Sequence, residues 1–248
     1  MVSLTERIIE RTKPEAITSF PPPEVTPQNI TRLDFRNLNW LPYFSGEHLF
    51  GPVKNCPELQ PNESLDILIP EFAVRQRVEA VTGNLAKAIL ADPEKFSLGA
   101  IPKGGLWLYE QLMDKVEETS PWGRKTVNAE NHLDIKSRHA TETGEYQVLC
   151  SPDPEKVNGK TLILCEGVAD TLQTITIAQE VLSRPPYREV NLKILLLLDK
   201  AAAHPGLALS EVVYPPLFSC GNIWVSGCGP DTNQRFRNLG CIAVYKKE

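Results

Sequence analysis

The sequence predicts an α/β domain, a parallel sheet flanked by helices, and three observations carry that expectation. Two apolar runs, at 161–165 and 192–198, are rich in Leu and Ile without polar alternation, as strands buried on both faces are. Val74, Val78, Val81, Leu85 and Ile89 step by three or four residues, the spacing of one helical face. A second such face, Ile175, Ala178, Val181 and Leu182, directly follows the first apolar run. Strands that alternate with helices build a parallel sheet, and functional residues gather at the carboxyl ends of its strands.

Residues 1–63 stand apart from this pattern. They hold nine of the 21 prolines, Pro21-Pro22-Pro23 among them, together with Phe20, Phe35, Trp40, Tyr43, Phe44 and Phe50. Prolines interrupt regular elements whereas aromatic rings favour burial, so an extended arm packed over the main domain or a neighbouring subunit is expected, with 31–63 ordered. The α/β domain is expected over 64–248. Its first helix ends at Ala91-Asp92-Pro93. A strand over 96–101 leads through Lys103-Gly104-Gly105 into a helix that carries Leu108, Leu112 and Val116. Strands at 132–136 and 145–150 flank the polar loop 137–144, and a strand at 161–165, a helix at 171–183 and a strand at 192–198 complete the order.

The stretch TLILCEGVADTLQT, residues 161–174, sets Asp170, Thr171 and Thr174 at a strand-to-helix turn. The unpaired N–H groups and partial positive charge of a helix N-terminus attract phosphate, hydroxyls add donors, and a carboxylate there serves as base or metal ligand. The same residues also suit an ordinary capped helix with Asp170 or Thr171 as N-cap.

The segment Glu166 to Thr174 resembles the ribose-phosphate loop of the type I phosphoribosyltransferases: two acids, two small or apolar residues, then Asp-Thr-Gly-x-Thr. Three further blocks, in order, resemble the hypoxanthine-guanine branch of that family. They are Ile101-Pro102-Lys103-Gly104-Gly105, then Lys136-Ser137-Arg138, and finally Trp224-Val225-Ser226-Gly227-Cys228-Gly229-Pro230-Asp231-Thr232-Asn233 with Phe236-Arg237-Asn238-Leu239 behind it. The resemblance spans roughly residues 65–247 and leaves the arm without a counterpart. It implies the family's parallel sheet with helices, a small hood from the C- and N-terminal parts of the domain, and the arm as an N-terminal extension.

It also implies an activity: transfer of phosphoribosyl from phosphoribosyl pyrophosphate to a purine base, with Mg2+ and release of pyrophosphate. By the same resemblance Ala169, Asp170, Thr171, Leu172, Gln173 and Thr174 bind the 5′-phosphate and ribose, with Asp170 as general base near the purine N7. Glu166 holds ribose hydroxyls and magnesium and is grouped with Asp170 as catalytic. Lys103, Gly104, Gly105, Ser137, Arg138 and Arg237 bind pyrophosphate, the bond before Lys103 being a cis peptide in relatives. Lys200 donates to the 6-oxygen of the base, Trp224 stacks on it, Val225 addresses its edge through the backbone, and Asp231 contacts a second magnesium. Ser137 and Arg138 root a mobile loop, with His139, Thr141, Thr143 and Gly144, that closes over the site.

Three positions depart from the family. Gly167 replaces the second acid, Leu172 the glycine and Arg138 a tyrosine. Losing the acid removes acceptors worth about 1–3 kcal/mol, and a Leu lacks the backbone freedom of Gly. Weak handling of phosphoribosyl pyrophosphate is therefore expected, improved by Gly167→Asp with Leu172→Gly. Two other functions remain compatible with these residues: the same fold with a different acceptor or the reverse direction, and a non-catalytic purine-nucleotide-binding regulatory protein.

Composition narrows the partners to small molecules. A net charge of -5 argues against nucleic-acid binding. The N-terminus lacks the apolar core of a secretion signal and no run approaches the ~20 apolar residues of a membrane span, so a cytoplasmic protein without membrane contact is expected. Cysteines at 56, 150, 165, 220, 228 and 241 form no Cys-x-x-Cys pair, and Cys150, Cys165 and Cys241 read as buried thiols in strands. A homo-oligomer is expected by analogy with the family.

Overall fold

The structure, a computed structural model, describes residues 24–137, 146–204 and 211–247. In chain order the elements are Tyr43–Phe44 (β1), Glu63–Ile69 (β2), Glu71–Ala91 (α1), Phe96–Ala100 (β3), Leu106–Thr119 (α2) and Gly123–Thr126 (α3). Then come Asp134–Ser137 (β4), Tyr146–Cys150 (β5), Pro154–Val157 (α4), Thr161–Ala169 (β6), Gln173–Leu182 (α5) and Asn191–Asp199 (β7). Phe218–Cys220 (β8), Val225–Ser226 (β9) and Ile242–Lys247 (β10) complete the chain.

Five strands form one parallel sheet in the order β1-β8-β7-β6-β3. Its centre is the pair of apolar runs, with Leu162 to Cys165 and Ile194 to Leu198 shielded from solvent on both faces. Each such Leu or Ile contributes roughly 1.5–3 kcal/mol by leaving water, which is why these two strands hold the middle of the sheet. β6 runs four residues further than its apolar run, because Glu166 to Ala169 stay in register with β7. Helix α1 begins after an extended Pro70 with Glu71 in its first turn, and stops at Asp92 just before Pro93. Of its expected inward face Val74, Val78, Leu85 and Ile89 are buried, and Val81 is half-buried.

A second, antiparallel sheet in the order β2-β10-β9 joins the start of the α/β region to its end, the hood arrangement. The boundary expected at 63/64 falls at the first residue of β2. Glu63 takes Arg235 and the Tyr245 hydroxyl on its carboxylate, which lies well below the usual range chiefly because of the Arg235 hydrogen bonds.

The arm joins the main sheet. β1 pairs in parallel with β8, and Phe35 and Phe44 are fully buried, the latter edge-on to Phe218 at 6.1 Å. Arg77 of α1, buried and without a carboxylate partner among the described residues, donates to the carbonyls of Asn37, Trp40 and Leu217 at 2.6, 2.7 and 3.2 Å. Burial lowers the pKa of its guanidinium to about 10. Those bonds satisfy carbonyls that the proline-interrupted arm cannot pair with itself.

Two local expectations are corrected. Cys150 is exposed, because the β4–β5 hairpin stands off the core as a two-stranded ribbon; Cys165 and Cys241 are buried as expected. Neither Asp170 nor Thr171 caps the helix. Leu172 occupies that position in the left-handed region, φ 60° and ψ 0°, with no side-chain hydrogen bond to the first turn.

Candidate active site at the carboxyl ends of the strands

The ends of β6 and β7 bring together two side chains thirty residues apart. Lys200 N donates to Ala169 O at 2.9 Å, continuing the ladder one step past both strands, and Lys200 Nζ reaches Asp170 Oδ2 at 2.8 Å. The lysine is buried and the aspartate about half-exposed, so the ion pair spans from the sheet to the solvent side. Lys200 Nζ also stands 5.8 Å from the centre of the Trp224 ring. Trp224 is 58% exposed although its Nε1 donates to Thr232 Oγ1 at 2.7 Å, and Thr232 in turn bonds buried Ser226 at 2.6 Å. An indole anchored at its N–H with an open surface is a platform for a flat ligand. Val225, the first residue of β9, is buried beside it.

The ribose-phosphate side differs. Glu166 lies within β6, opposite Leu196, and its Oε1 accepts from its neighbour's amide, Gly167 N, at 2.7 Å. Burial pushes this carboxyl up to about 7, although the Gly167 and Val168 amides pull the other way. The expectation that Glu166 follows the strand is thereby corrected, since the strand hydrogen bonding continues past it. Thr171 and Gln173 are exposed and Thr174 half-buried at the start of α5, while Leu172 packs against the core beneath the helix. A left-handed Leu is strained by about 1–2 kcal/mol relative to Gly.

Lys103, Gly104 and Gly105 connect β3 to α2, and the Pro102–Lys103 bond is cis. Lys103 is exposed. The glycines answer to close backbone contacts. A Cβ on Gly105 would lie 1.9 Å from the Cys165 carbonyl oxygen. The Gly104 carbonyl is clasped from two sides: a Cβ on Gly167 would approach its oxygen to 2.8 Å and one on Gly229 to 2.1 Å. Gly167 therefore does more than lack an acid; it makes room for this loop. The expected gain from Gly167→Asp is contradicted by this packing, because the first side-chain atom already meets backbone.

Arg237 donates to Gly229 O at 2.9 Å and pairs with Asp231 at 2.6 Å, and Asp231 Oδ2 also accepts from Gln234 N at 2.5 Å. The two residues expected to hold pyrophosphate and a metal thus hold each other. Ser137 ends β4, whereas Arg138, His139, Thr141, Thr143 and Gly144 lie outside the described residues.

Among the described residues no group of three or more His, Cys, Asp or Glu could hold a metal ion. Glu166 is engaged by backbone amides and Asp231 by Arg237. Hard carboxylate oxygens one or two at a time fit magnesium only when phosphate oxygens and water complete the shell. The donor set therefore suits an ion that arrives on a diphosphate.

Gly229, Thr232, Asp199 and His204 were not singled out from the sequence. An Asp or His near the lysine motif was the available signal for the last two. Gly229 and Thr232 lie inside the run Trp224 to Asn233, but Gly229 meets Gly104, distant in the chain, and Thr232 meets Trp224 only through the orientation of its indole N–H.

No family model matches the chain. Among curated proteins, a hypoxanthine-guanine phosphoribosyltransferase of Lactococcus lactis is 32% identical over 120 residues, 47% of this chain and 61% of that protein, so the match spans less than two thirds of it. Another from Bacillus subtilis is 24% identical across 73% of this chain and 92% of its own. The human phosphoribosyltransferase domain-containing protein 1 is 25% identical across 73% and 78%. Among solved structures, a hypoxanthine phosphoribosyltransferase from Staphylococcus aureus aligns with a TM-score of 0.57 at 22% identity, over 73% of this chain and 90% of its own. The Trypanosoma cruzi enzyme in complex with the product IMP gives 0.57 at 19%, over 76% and 97%. At such identities the structural likeness establishes the fold, that of the phosphoribosyltransferases. The curated proteins to which the chain is similar include hypoxanthine-guanine phosphoribosyltransferases, at low identity.

Proposed function

We propose that the chain is a 6-oxopurine phosphoribosyltransferase with its base half intact and its ribose-phosphate half altered. The observation that carries this reading is the convergence of Lys200, Asp170 and the open face of Trp224 at the ends of β6 and β7. A purine stacked on Trp224 would meet the Lys200 ammonium with its 6-oxygen and Asp170 with N7. An ammonium only donates, so a 6-oxo group suits it and a 6-amino group does not. The purine N9 then attacks C1 of phosphoribosyl pyrophosphate, the C1–O bond breaks with its electron pair leaving on pyrophosphate, and the N7 proton passes to Asp170. Negative charge from Asp170 also offsets positive charge developing on the ribose ring.

In this reading the N–H groups at the start of α5, with Thr171, Gln173 and Thr174, hold the 5′-phosphate. Lys103, Gly104, Gly105, Ser137, Arg138 and Arg237 face pyrophosphate, once Arg237 exchanges Asp231 for phosphate oxygens. Val225 addresses the base edge through its backbone. Glu166 and Asp231 would be the protein oxygens for magnesium, which would supply charge neutralisation at the diphosphate. The protein would act in the cytoplasm as a homo-oligomer; among the described residues no helix is long and apolar enough to cross a membrane.

The packing at Gly167 and the strain at Leu172 favour one further reading, a purine-nucleotide-binding protein without turnover. Calorimetry with inosine, guanosine and adenosine monophosphates, beside turnover assays with phosphoribosyl pyrophosphate, magnesium and a panel of bases, tests both. Tighter binding of the 6-oxo nucleotides with turnover supports the enzyme; the same preference without turnover for any base supports the binding protein. Equal affinities, or Trp224→Ala binding as well as the native chain, overturns the base site itself.

A further inference from the structure

Asp199 is the last residue of β7, the central strand, in register with Ala169 of β6 on one side and Ser219 of β8 on the other. The five positions before it are Ile or Leu without exposure, which is what a strand buried on both faces requires. A carboxylate in this place is costly to bury, and it is paired: Oδ1 lies 2.8 Å from His204 Nε2, with the side chains 9% and 4% exposed. Burial raises the pKa of the Asp199 carboxyl and the hydrogen bond to His204 opposes that shift. Replacing a buried polar pair by apolar residues of similar size can be neutral or stabilising, so this hydrogen-bonded pair asks for an explanation other than stability.

The turn between its members supplies one. Ala201–Ala203 is a single 3-10 turn of three alanines, Ala201 and Ala202 exposed, with no side chain long enough to anchor it. Lys200 sits at its start with φ -92° and ψ 66°, outside the helical and strand regions. Its backbone is held by two hydrogen bonds, Lys200 N to Ala169 O and Ala203 N to Lys200 O, and the Asp199–His204 contact closes the turn around it. The Lys200 ammonium, paired with Asp170 at 2.8 Å, ends a flexible side chain whose starting direction this backbone fixes.

We infer that the buried Asp199–His204 pair is a positioning clasp that aims Lys200 into the base site and thereby sets the discrimination between 6-oxo and 6-amino purines. The inference rests on the base-site reading above. Asp199 and His204 touch no ligand in this role; they act through Lys200. With the clasp removed the ammonium wanders, the 6-oxygen loses a fixed donor, and the penalty against a 6-amino group falls.

The test is calorimetry of inosine and adenosine monophosphates on the native chain, His204→Ala, His204→Gln and the double variant Asp199→Leu with His204→Leu. The double variant extends the apolar strand and is expected to melt at or above the native temperature. Its ratio of inosine to adenosine monophosphate affinity should fall by about tenfold, through weaker inosine monophosphate binding with adenosine monophosphate changed less than about twofold. His204→Ala should lose the same preference, and His204→Gln, which keeps a hydrogen-bond donor for Asp199, should recover most of it. A folded double variant that keeps the native ratio, or that loses both ligands equally, overturns the inference. A native chain that binds the two nucleotides alike overturns the base-site reading, and the clasp falls with it.

Discussion

The two halves of the proposed site lie at the carboxyl ends of the parallel strands and the start of β9, yet they match the resembled family pattern to different degrees. On the proposed base half, Lys200, Asp170, Trp224 and Val225 fit the resembled pattern, and the first three converge, Lys200 Nζ lying 2.8 Å from Asp170 and 5.8 Å from the Trp224 ring centre. On the proposed ribose-phosphate half, Gly167 and Leu172 depart from the resembled pattern, and each is built into the backbone around it. Recognition of a base needs a few side chains at strand ends, which a rigid sheet supplies. Recognition of a phosphorylated sugar needs bare backbone in unusual conformations, and there one Cβ too many or one loop too close changes the chemistry.

Breaking the base half should have the largest effect. Asp170→Asn is expected to lower turnover by about 10²–10⁴-fold while inosine monophosphate binding stays nearly native, measured by steady-state kinetics beside calorimetry. If both fall together, Asp170 is an anchor for Lys200 and the division between the halves is drawn in the wrong place.

Glu166 tests the other half through pH. Burial raises its folded pKa to about 7 from the ordinary 4.5 of a free glutamate, so the folded state holds the extra proton between those values. Stability from this group is greatest below pH 4.5 and declines as pH rises toward 7, by up to about 3 kcal/mol. Glu166→Gln should therefore raise Tm at pH 8 much more than at pH 5. Equal shifts at both values would mean that the carboxylate is solvated and that burial does not hold its proton.

Gly167→Asp should destabilise the chain by about 1–3 kcal/mol, as overpacking does, and leave the Michaelis constant for phosphoribosyl pyrophosphate no lower than native. A stable variant with improved substrate affinity would show that the loop above Gly167 yields, and would bring the two halves closer in kind. Leu172→Gly is the mildest change. Relief of left-handed strain and loss of packing nearly cancel, so stability should move by no more than about 1 kcal/mol in chemical denaturation. The Michaelis constant for phosphoribosyl pyrophosphate should fall, because only backbone then faces the 5′-phosphate.

The central strands were legible because Leu162 to Cys165 and Leu192 to Leu198 have a composition that fits little else than a strand buried on both faces. Strands of two or three residues, such as β1, β8 and β9, have no period to detect and exist only because a neighbour supplies the hydrogen bonds. Glu166 was misjudged as lying past a strand end for a related reason: an acid in an apolar run reads as a boundary until the ladder beside it is seen. Arg77 sat unnoticed on the inward face of α1, since its partners are carbonyls of the arm and carbonyls leave no trace in composition. The site's parts could be named from resemblance, but the Lys200–Asp170 contact joins residues whose separation in sequence carries no signal.

The clasp of Gly104 between Gly167 and Gly229 also constrains how this chain can change over generations. Substitutions whose effects depend on one another are accessible only in certain orders. An acid introduced at Gly167 meets the settled loop unless that loop first withdraws, whereas a glycine introduced at Leu172 only removes side-chain atoms. Of the two positions one is a door left ajar and the other is latched, so a series of substitutions toward fuller use of a phosphorylated ribose would be expected to pass through Leu172 first.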